Sequence, residues 1–384
     1  MKTKEKQKNI PKGWKIKKIK DLLDYERPDN YIVKNTNYRD DKKIPVLTAN
    51  KSFILGYTDE DFGIYENTPT IIFDDFTTDS KYVDFPFKVK SSAIKILKEK
   101  NNDIDLRFVY EKMKSIDFPR GNHKRYYISQ YQEMNILTPP FKEQQKIAEI
   151  LETVDKEIKK TNEIINKTEK LKRGIMQKLF IQKDRDKKFK NRKVNEIANV
   201  LTGKTPKRIK KEFYENGIFP WVKSTEVNFE RIKDTSEKIT KDAIRIENMK
   251  IVPKGAVLVA MYGQGVTRGK SAILDCEATT NQAIASIVPN SELTTDYLFY
   301  WLSFQYENLR NLGHGGNQKN LNLDIIKNIE IFLPDTNYQK KITKILSAVD
   351  EKISVNKKLK EKLTQLKKGL SQDLLSGEVR VLIT

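Results

Sequence analysis

The sequence predicts an α+β protein, with two mixed α/β globular domains separated by two long helices that pack as an antiparallel coiled coil with pseudo-twofold symmetry. The first observation is a repeat: residues 139–180 align without a gap with residues 334–375, at an offset of 195, and share 15 identities in 42 positions. The second is that both copies have apolar residues at helical spacing, and the third is that short β-type runs separated by turns fill the remaining segments. The predicted boundaries are 1–138, 139–181, 182–333 and 334–384.

The two globular segments are predicted to contain both strands and helices. Residues 44–57, 68–76 and 254–263 are typical of strands around turns. Helices are predicted at Ser91–Lys100, Leu106–Ser115 and Thr295–Leu309. The two segments have little sequence in common beyond their openings, at residues 14–19 and 192–197.

The repeated segments predict two helical rods. Pro139 and Pro334 precede them, where proline is tolerated ahead of a helix. The apolar stripe of the second copy consists of Ile342, Leu346, Val349, Ile353, Leu359, Leu363, Leu366, Leu370 and Leu374. Its step of six between Ile353 and Leu359 predicts a shift in packing register. A helix with one apolar stripe needs a partner, so we expect the rods to pack on each other, and the alternative is that each packs only on its own domain.

Composition excludes several classes of protein. The 384 residues include one cysteine and two histidines, which excludes an internal disulfide framework or a multi-cysteine zinc site. No apolar run approaches the ~20 residues that span a bilayer, so we expect a cytoplasmic protein with no membrane partner. Lys and Arg total 73 against 52 acidic residues, a net charge of +21. This excess favours a polyanionic partner, most often nucleic acid, although a lysine-rich genome composition would also produce it.

Two short motifs could indicate catalysis, and neither is convincing. Residues 138–141 read Thr-Pro-Pro-Phe, which is close to the loop of amino-methyltransferases, but threonine replaces the Asn or Asp that accepts from the amine. Asp29 followed by Asp41 and Lys43 formally fits a nuclease metal site, yet the stretch is turn-like. We therefore expect no catalytic residue, metal or cofactor in this chain. A self-contained methyltransferase or nuclease and a coiled-coil scaffold that binds proteins remain the alternatives.

Three polar loops are the candidate nucleic-acid contacts, because Gln and Arg can bond base edges and glycines let the backbone approach phosphates. A tight surface turn or a solvated run of charge is the alternative for each. The candidate side chains are Gln264, Thr267 and Arg268 in the loop at 263–269 and Lys270 directly after it, His314, Gln318, Lys319 and Asn320 in the loop at 313–320, and Arg120, Asn122, His123, Lys124 and Arg125 ahead of the first rod.

The chain resembles the specificity (S) subunits of type I restriction–modification systems over essentially its whole length. The segments that carry the resemblance are the duplicated helix starts at 139–151 and 334–346, together with residues 73–78, 82–87, 203–206, 220–222, 261–263, 280–283 and 318–321. The second helix start departs from the family pattern, because Tyr338 stands where the usual glutamate would precede Gln339.

The resemblance implies a non-catalytic reader of double-stranded DNA. Each globular domain would be a target-recognition domain for one half of a bipartite sequence, and the helices would fix the spacer and dock two DNA adenine methyltransferase (modification) subunits. Those partners would hold S-adenosylmethionine, and restriction/translocase subunits would use ATP and Mg. A type IIB-like or orphan system is the alternative setting. The further DNA-binding candidates are Lys51, Thr77, Thr78, Lys81, Lys204, Thr205, Lys223, Ser224 and Tyr262.

Overall fold

The computed structural model describes residues 10–50, 52–118, 124–181, 190–263, 266–312 and 320–383. The chain divides into two compact units. Unit 1 comprises Met1–Asn162 and Lys358–Thr384, and unit 2 comprises Glu163–Lys357. Each unit therefore contains one globular domain and part of each long helix. The division into four segments, with boundaries at the helix ends, stays a prediction.

Within the described residues, unit 1 consists of three small sheets, two shorter α-helices and parts of the two long helices. Its elements are β1 (Lys15–Lys18), α1 (Ile19–Leu22), β2 (Leu23–Glu26), β3 (Ile44–Leu47), β4 (Ile54–Thr58), β5 (Thr70–Asp74), β6 (Ser80–Val83), β7 (Lys88–Val89), β8 (Ile94–Glu99), α2 (Leu106–Lys114), β9 (Asn135–Thr138), the first part, to Asn162, of α3 (Phe141–Ile181) and the last part, from Lys358, of the second long helix. The sheet orders are β2-β8-β5-β6, β4-β3-β7 and β1-β9. One face of the four-stranded sheet packs with α2 and the start of α3 in a core that includes Phe73, Phe108 and Leu151.

Unit 2 continues the chain with a similar set. Its elements are the last part of α3, from Glu163, then β10 (Lys190–Lys193), α4 (Val194–Ile197), β11 (Ala198–Thr202), β12 (Phe219–Val222), β13 (Arg231–Ile232), β14 (Lys238–Ile239), α5 (Lys241–Ile246), β15 (Val257–Ala260), β16 (Ser271–Leu274), β17 (Thr279–Thr280), β18 (Ile284–Pro289), α6 (Thr295–Phe304), α7 (Tyr306–Asn311), α8 (Leu323–Lys327), β19 (Glu330–Leu333) and the first part, to Lys357, of α9 (Thr336–Ser376). The sheet orders are β11-β18-β15-β16-β13, β14-β12-β17 and β10-β19.

The two globular domains share one topology, to which unit 2 adds the short edge strand β13. The antiparallel order β2-β8-β5-β6 corresponds strand for strand to β11-β18-β15-β16. The parallel pair β3 and β7 corresponds to β12 and β17, and the antiparallel pair β1 and β9 to β10 and β19. The duplication therefore covers the domains as well as the helices, and the predicted fold class is confirmed.

The predicted helix at Ser91–Lys100 is wrong, because this stretch forms β8. The strand lies between β2 and β5 and is buried on both faces from Ile94 to Leu97. A central strand of this kind has a continuous buried run, whose periodicity does not distinguish it from a buried helix. The predicted helix at Leu106–Ser115 is α2, and the one at Thr295–Leu309 is the pair α6 and α7, which meet at Gln305.

The long helices α3 and α9 have 41 residues each and pack antiparallel within each unit, as predicted. In unit 1, Lys367 Nζ lies 2.6 Å from Asp155 Oδ2. In unit 2, Lys172 Nζ lies 2.6 Å from Asp350 Oδ1. The two lysines are equivalent in the repeat, and the two aspartates are also equivalent. The lysine of each copy therefore forms an ion pair with the aspartate of the other copy. None of the helices in the described part of the chain is both long and apolar enough to cross a membrane.

The predicted apolar stripe of α9 is only partly buried. Leu346 and Ile353 are buried, whereas Leu359 and Leu366 are 44% and 51% exposed, so the prediction that these two lie in the helix interface is wrong. A step of six residues falls about 120° short of two full turns, which places Leu359 and Leu366 on another face of the helix. Leu171 of α3, the repeat equivalent of Leu366, is likewise 57% exposed.

A buried glutamine at the start of each long helix fixes that helix to its domain. Gln144 Nε2 donates to the carbonyls of Pro139 and Asp103, and its Oε1 accepts from the Asp105 N–H at the start of α2. Gln339 makes the same three bonds in unit 2, where its partners are Pro334, Glu292 and Thr294. A buried amide with all its partners in place holds one geometry, because any displacement would leave polar groups unpaired.

Candidate nucleic-acid interface

Sheet register brings most of the candidate loops of unit 2 to one end of its domain. Thr202, the last residue of β11, pairs with Ala285 near the start of β18. Ile284, the first residue of β18, pairs with Ala260 at the end of β15. The loop from β15 to β16 leaves from the same end. The loops after β12 and β17 also leave together, since Val222 at the end of β12 pairs with Thr280 at the end of β17. The loops that gather there contain Lys204, Thr205, Lys223, Ser224, Tyr262, Thr267, Arg268 and Lys270. Asn320 lies beside them, because the Leu321 N–H donates to the Met261 carbonyl over 3.1 Å.

Unit 1 gathers its candidate residues in the corresponding place. Asp74 at the end of β5 pairs with Ile94 at the start of β8, and the loop from β5 to β6 carries Thr77 and Thr78. Thr77 Oγ1 donates to Asn50 Oδ1, which brings in the loop after β3.

Asp75 links a second segment to this loop of unit 1. Its carbonyl accepts from the Tyr126 N–H and its Oδ1 from the Tyr127 N–H, so the exposed Lys124 and Arg125 lie next to the loop. The Arg125 guanidinium lies 5.7 Å from the centre of the Phe76 ring. Lys81 is half-buried on the edge strand β6.

The loops after β11, β12 and β17 of unit 2 are joined by polar contacts. Thr205 Oγ1 donates to Gln282 Oε1, and Lys204 Nζ donates to the Glu247 carbonyl over 2.9 Å. Lys223 Nζ lies 3.3 Å from Glu237 Oε2, and Ser224 begins the turn that follows. The Asn281 N–H donates to the Val222 carbonyl over 3.0 Å, which joins the loop after β17 to the end of β12.

The loop between β15 and β16 is held against α7. Tyr306 donates its hydroxyl to the Val266 carbonyl over 2.6 Å, and Arg268 Nη2 donates to the Arg310 carbonyl over 3.2 Å. Lys270 Nζ donates to Asn228 Oδ1. Tyr262 is 38% exposed, so an aromatic ring is presented beside these cations. The half-buried Arg268 thus has a structural contact as well as its predicted role.

Arg208 was not among the candidates predicted from the sequence, although it lies in the loop after β11 that carries Lys204 and Thr205. It is paired with Glu237, and its guanidinium lies 4.9 Å from the centre of the Trp221 ring. Its hydrogen bonds hold the pKa of the Glu237 carboxyl below its usual value, against the opposing effect of burial. Gln282 was also missed as a candidate, although it lies in a segment that carries the family resemblance.

Eight candidates lie outside the residues that the structure describes. They are Lys51, Arg120, Asn122, His123, Gln264, His314, Gln318 and Lys319. The DNA-binding role of every candidate, described or not, stays a prediction. Among the described residues there is no cluster of three or more His, Cys, Asp or Glu side chains suited to a metal ion.

A family model, several relatives and a solved structure each match most or all of this chain. Residues 11–170 and 186–365 match the family described as type I restriction modification DNA specificity domain. The Escherichia coli type I restriction enzyme EcoR124I/EcoR124II specificity subunit is 31% identical over 345 residues, which cover 86% of this chain and 85% of the relative. The MjaVIII specificity subunit of Methanocaldococcus jannaschii is 25% identical, with 97% and 94% covered. The crystal structure of the S subunit from M. genitalium superposes with a TM-score of 0.69 at 18% identity and covers all of both chains.

Proposed function

Because this chain belongs to the type I restriction–modification DNA specificity family, we propose that it is the sequence-recognition subunit of such a complex and binds double-stranded DNA. The observation that carries the proposal is that two domains of one topology gather different polar loops at corresponding ends. A shared scaffold with two different loop sets suits the reading of two different half-sites. Unit 1 would read one half of a bipartite target and unit 2 the other.

In this proposal the two long helices fix the length of the unread spacer and dock two modification subunits. Leu171 of α3 and Leu366 of α9 support the docking role, since they are repeat equivalents and each is more than half exposed. Large apolar side chains left in solvent at equivalent positions are expected at contact points for two copies of one partner.

The chemistry would belong to the partners. The modification subunits would bind S-adenosylmethionine and methylate adenine, and restriction subunits would use ATP and Mg for translocation and cleavage. This chain would supply recognition and no catalytic residue. The same role in a type IIB-like or orphan system is the second candidate, and neighbouring genes distinguish the two.

Sequencing of methylated bases in host DNA, with the gene intact and deleted, tests the proposal. We expect a split motif, with two short halves around a fixed gap, to lose its methylation when the gene is deleted. An unchanged methylome in a host with an active partner methyltransferase would contradict the proposal and favour a protein-binding scaffold.

Arg268→Ala is expected to weaken recognition of the second half-site. A bidentate contact between an arginine and a base contributes about 1–3 kcal/mol. Binding of the assembled complex to target and random duplexes measures the effect. An equal loss on both duplexes would make Arg268 a phosphate contact. A lower melting temperature with unchanged DNA binding would show that Arg268 has only a structural role, through its hydrogen bond to the Arg310 carbonyl.

A further inference from the structure

The segment at residues 203–211 of unit 2, here named the 203–211 loop, combines dense positive charge with one exposed apolar side chain. Five of its nine residues are basic and none is acidic. Ile209 lies among them with 89% of its surface exposed, and only Leu382 at 90% is as exposed among the large apolar residues that the structure describes. An isolated exposed leucine or isoleucine is common on proteins, but Ile209 is held in place by the contacts of its neighbours.

The start of the loop is fixed to the neighbouring strand. The Lys204 N–H donates to the Thr280 carbonyl over 2.9 Å. A Cβ atom on Gly203 would lie only 1.7 Å from that carbonyl oxygen, so only glycine permits this approach. The buried Trp221 ring then donates from Nε1 to the Lys204 carbonyl over 3.1 Å.

The middle of the loop is fixed in the same way. Tyr214 donates its hydroxyl to the Pro206 carbonyl over 2.6 Å. Arg208 lies against the rings of Tyr214 and Trp221, at 4.5 and 4.9 Å, and is paired with Glu237. Ile209 therefore follows an immobilised residue, and a partner that binds it orders little additional chain.

The cations around Ile209 are available for a polyanion. Lys207 and Lys211 are exposed, and Lys210 lies 4.9 Å from the Phe213 ring centre. None of these three lysines has a carboxylate within ion-pair distance among the described residues. The fourth nearby cation, Arg208, differs from them because it forms an ion pair with Glu237. The surface offers three positive charges around one aliphatic side chain.

We propose that Ile209 is a base-contacting residue of unit 2 that packs against the C5-methyl group of a thymine in the major groove, while Lys207, Lys210 and Lys211 contact the flanking phosphates. Thr205 of this loop donates to Gln282 Oε1, so the loop lies at the end of the domain where the other candidate residues gather. Aliphatic side chains recognise thymine by this methyl group, and lysines neutralise phosphates without reading sequence. The inference rests on the proposed function, since it names one specificity contact for the second half-site.

The test uses the assembled complex and duplexes that carry its target, with each thymine of the second half-site replaced in turn by deoxyuridine, which lacks only the methyl group. The wild type is expected to lose about 4-fold in affinity at one position, the effect of one apolar methyl contact. Ile209→Ala is expected to bind the thymine duplex about as weakly as the wild type binds the uridine duplex, and to be indifferent to the replacement. Because Ile209 is so exposed, the substitution leaves no cavity and folding is preserved.

Two variants are matched controls. Leu382→Ala removes an equally exposed apolar side chain from unit 1 and should leave the uridine response intact. Lys207→Ala should weaken binding to target and random duplexes equally and lower the salt slope by about 0.9. A wild type with no thymine sensitive to the replacement, or an Ile209→Ala complex that keeps the sensitivity, overturns the assignment. Failure of the complex to prefer its target over random DNA would instead contradict the proposed function.

Discussion

Removal of seven residues from each long helix is expected to shorten the spacer of the recognised sequence by about three base pairs and to leave both half-sequences unchanged. Residues 160–166 of α3 and 355–361 of α9 are suitable, because they are equivalent in the repeat and leave the Lys367–Asp155 and Lys172–Asp350 pairs in place. Seven residues are about 10 Å of helix, close to the rise of three base pairs, and nearly two whole turns.

Methylome sequencing of a host that carries the shortened protein measures the gap directly. The matched control exchanges residues 160–166 with residues 355–361, which alters sequence at both places and keeps helix length. We expect the exchanged protein to retain the original gap. A shortened protein that methylates the original motif would show that helix length does not determine the spacer.

The repeat in the sequence was sufficient to predict the long helices and their antiparallel packing. The segments at 139–180 and 334–375 share 15 identities in 42 positions, and these include the lysine and the aspartate of both reciprocal pairs. The shared topology of the domains was not predictable in this way. Sheet order is maintained by buried apolar residues of many kinds, so two domains can have one topology with little sequence in common.

The candidate interface was predictable where a loop is marked by glycine and polar residues in one stretch, as at residues 263–269. It was not predictable where contacts join distant segments. Arg208 depends on Trp221 and Glu237, which are 13 and 29 residues further along the chain. Likewise, Gln144 and Gln339 stand out as identities, but their bonds to α2 and α6 needed the structure.

Lys95→Met is expected to destabilise unit 1 by about 3–5 kcal/mol and to abolish recognition of the first half-site, because it leaves a buried carboxylate without its cation. Lys95 Nζ lies 3.4 Å from Asp75 Oδ2, and the two side chains are 4% and 2% exposed. Asp75 also accepts from the N–H groups of Tyr126 and Tyr127, through its carbonyl and its Oδ1. The pair therefore supports the contact between the loop that carries Thr77 and the segment that carries Arg125.

Hydrogen exchange followed by mass spectrometry separates the two units, so peptides of unit 2 are an internal control. We expect faster exchange throughout β5 and β8 in Lys95→Met and no change in β15 and β18. Asp75→Asn on the Lys95→Met background should recover most of the protection, since a neutral amide oxygen still accepts from Tyr127 and no buried charge remains. Lys81→Met, on the adjacent strand β6, removes a half-buried lysine that has no ion pair with any described residue, and its protection should match that of the wild type. Equal protection in Lys95→Met and Lys81→Met would show that the buried pair does not stabilise this end of the domain.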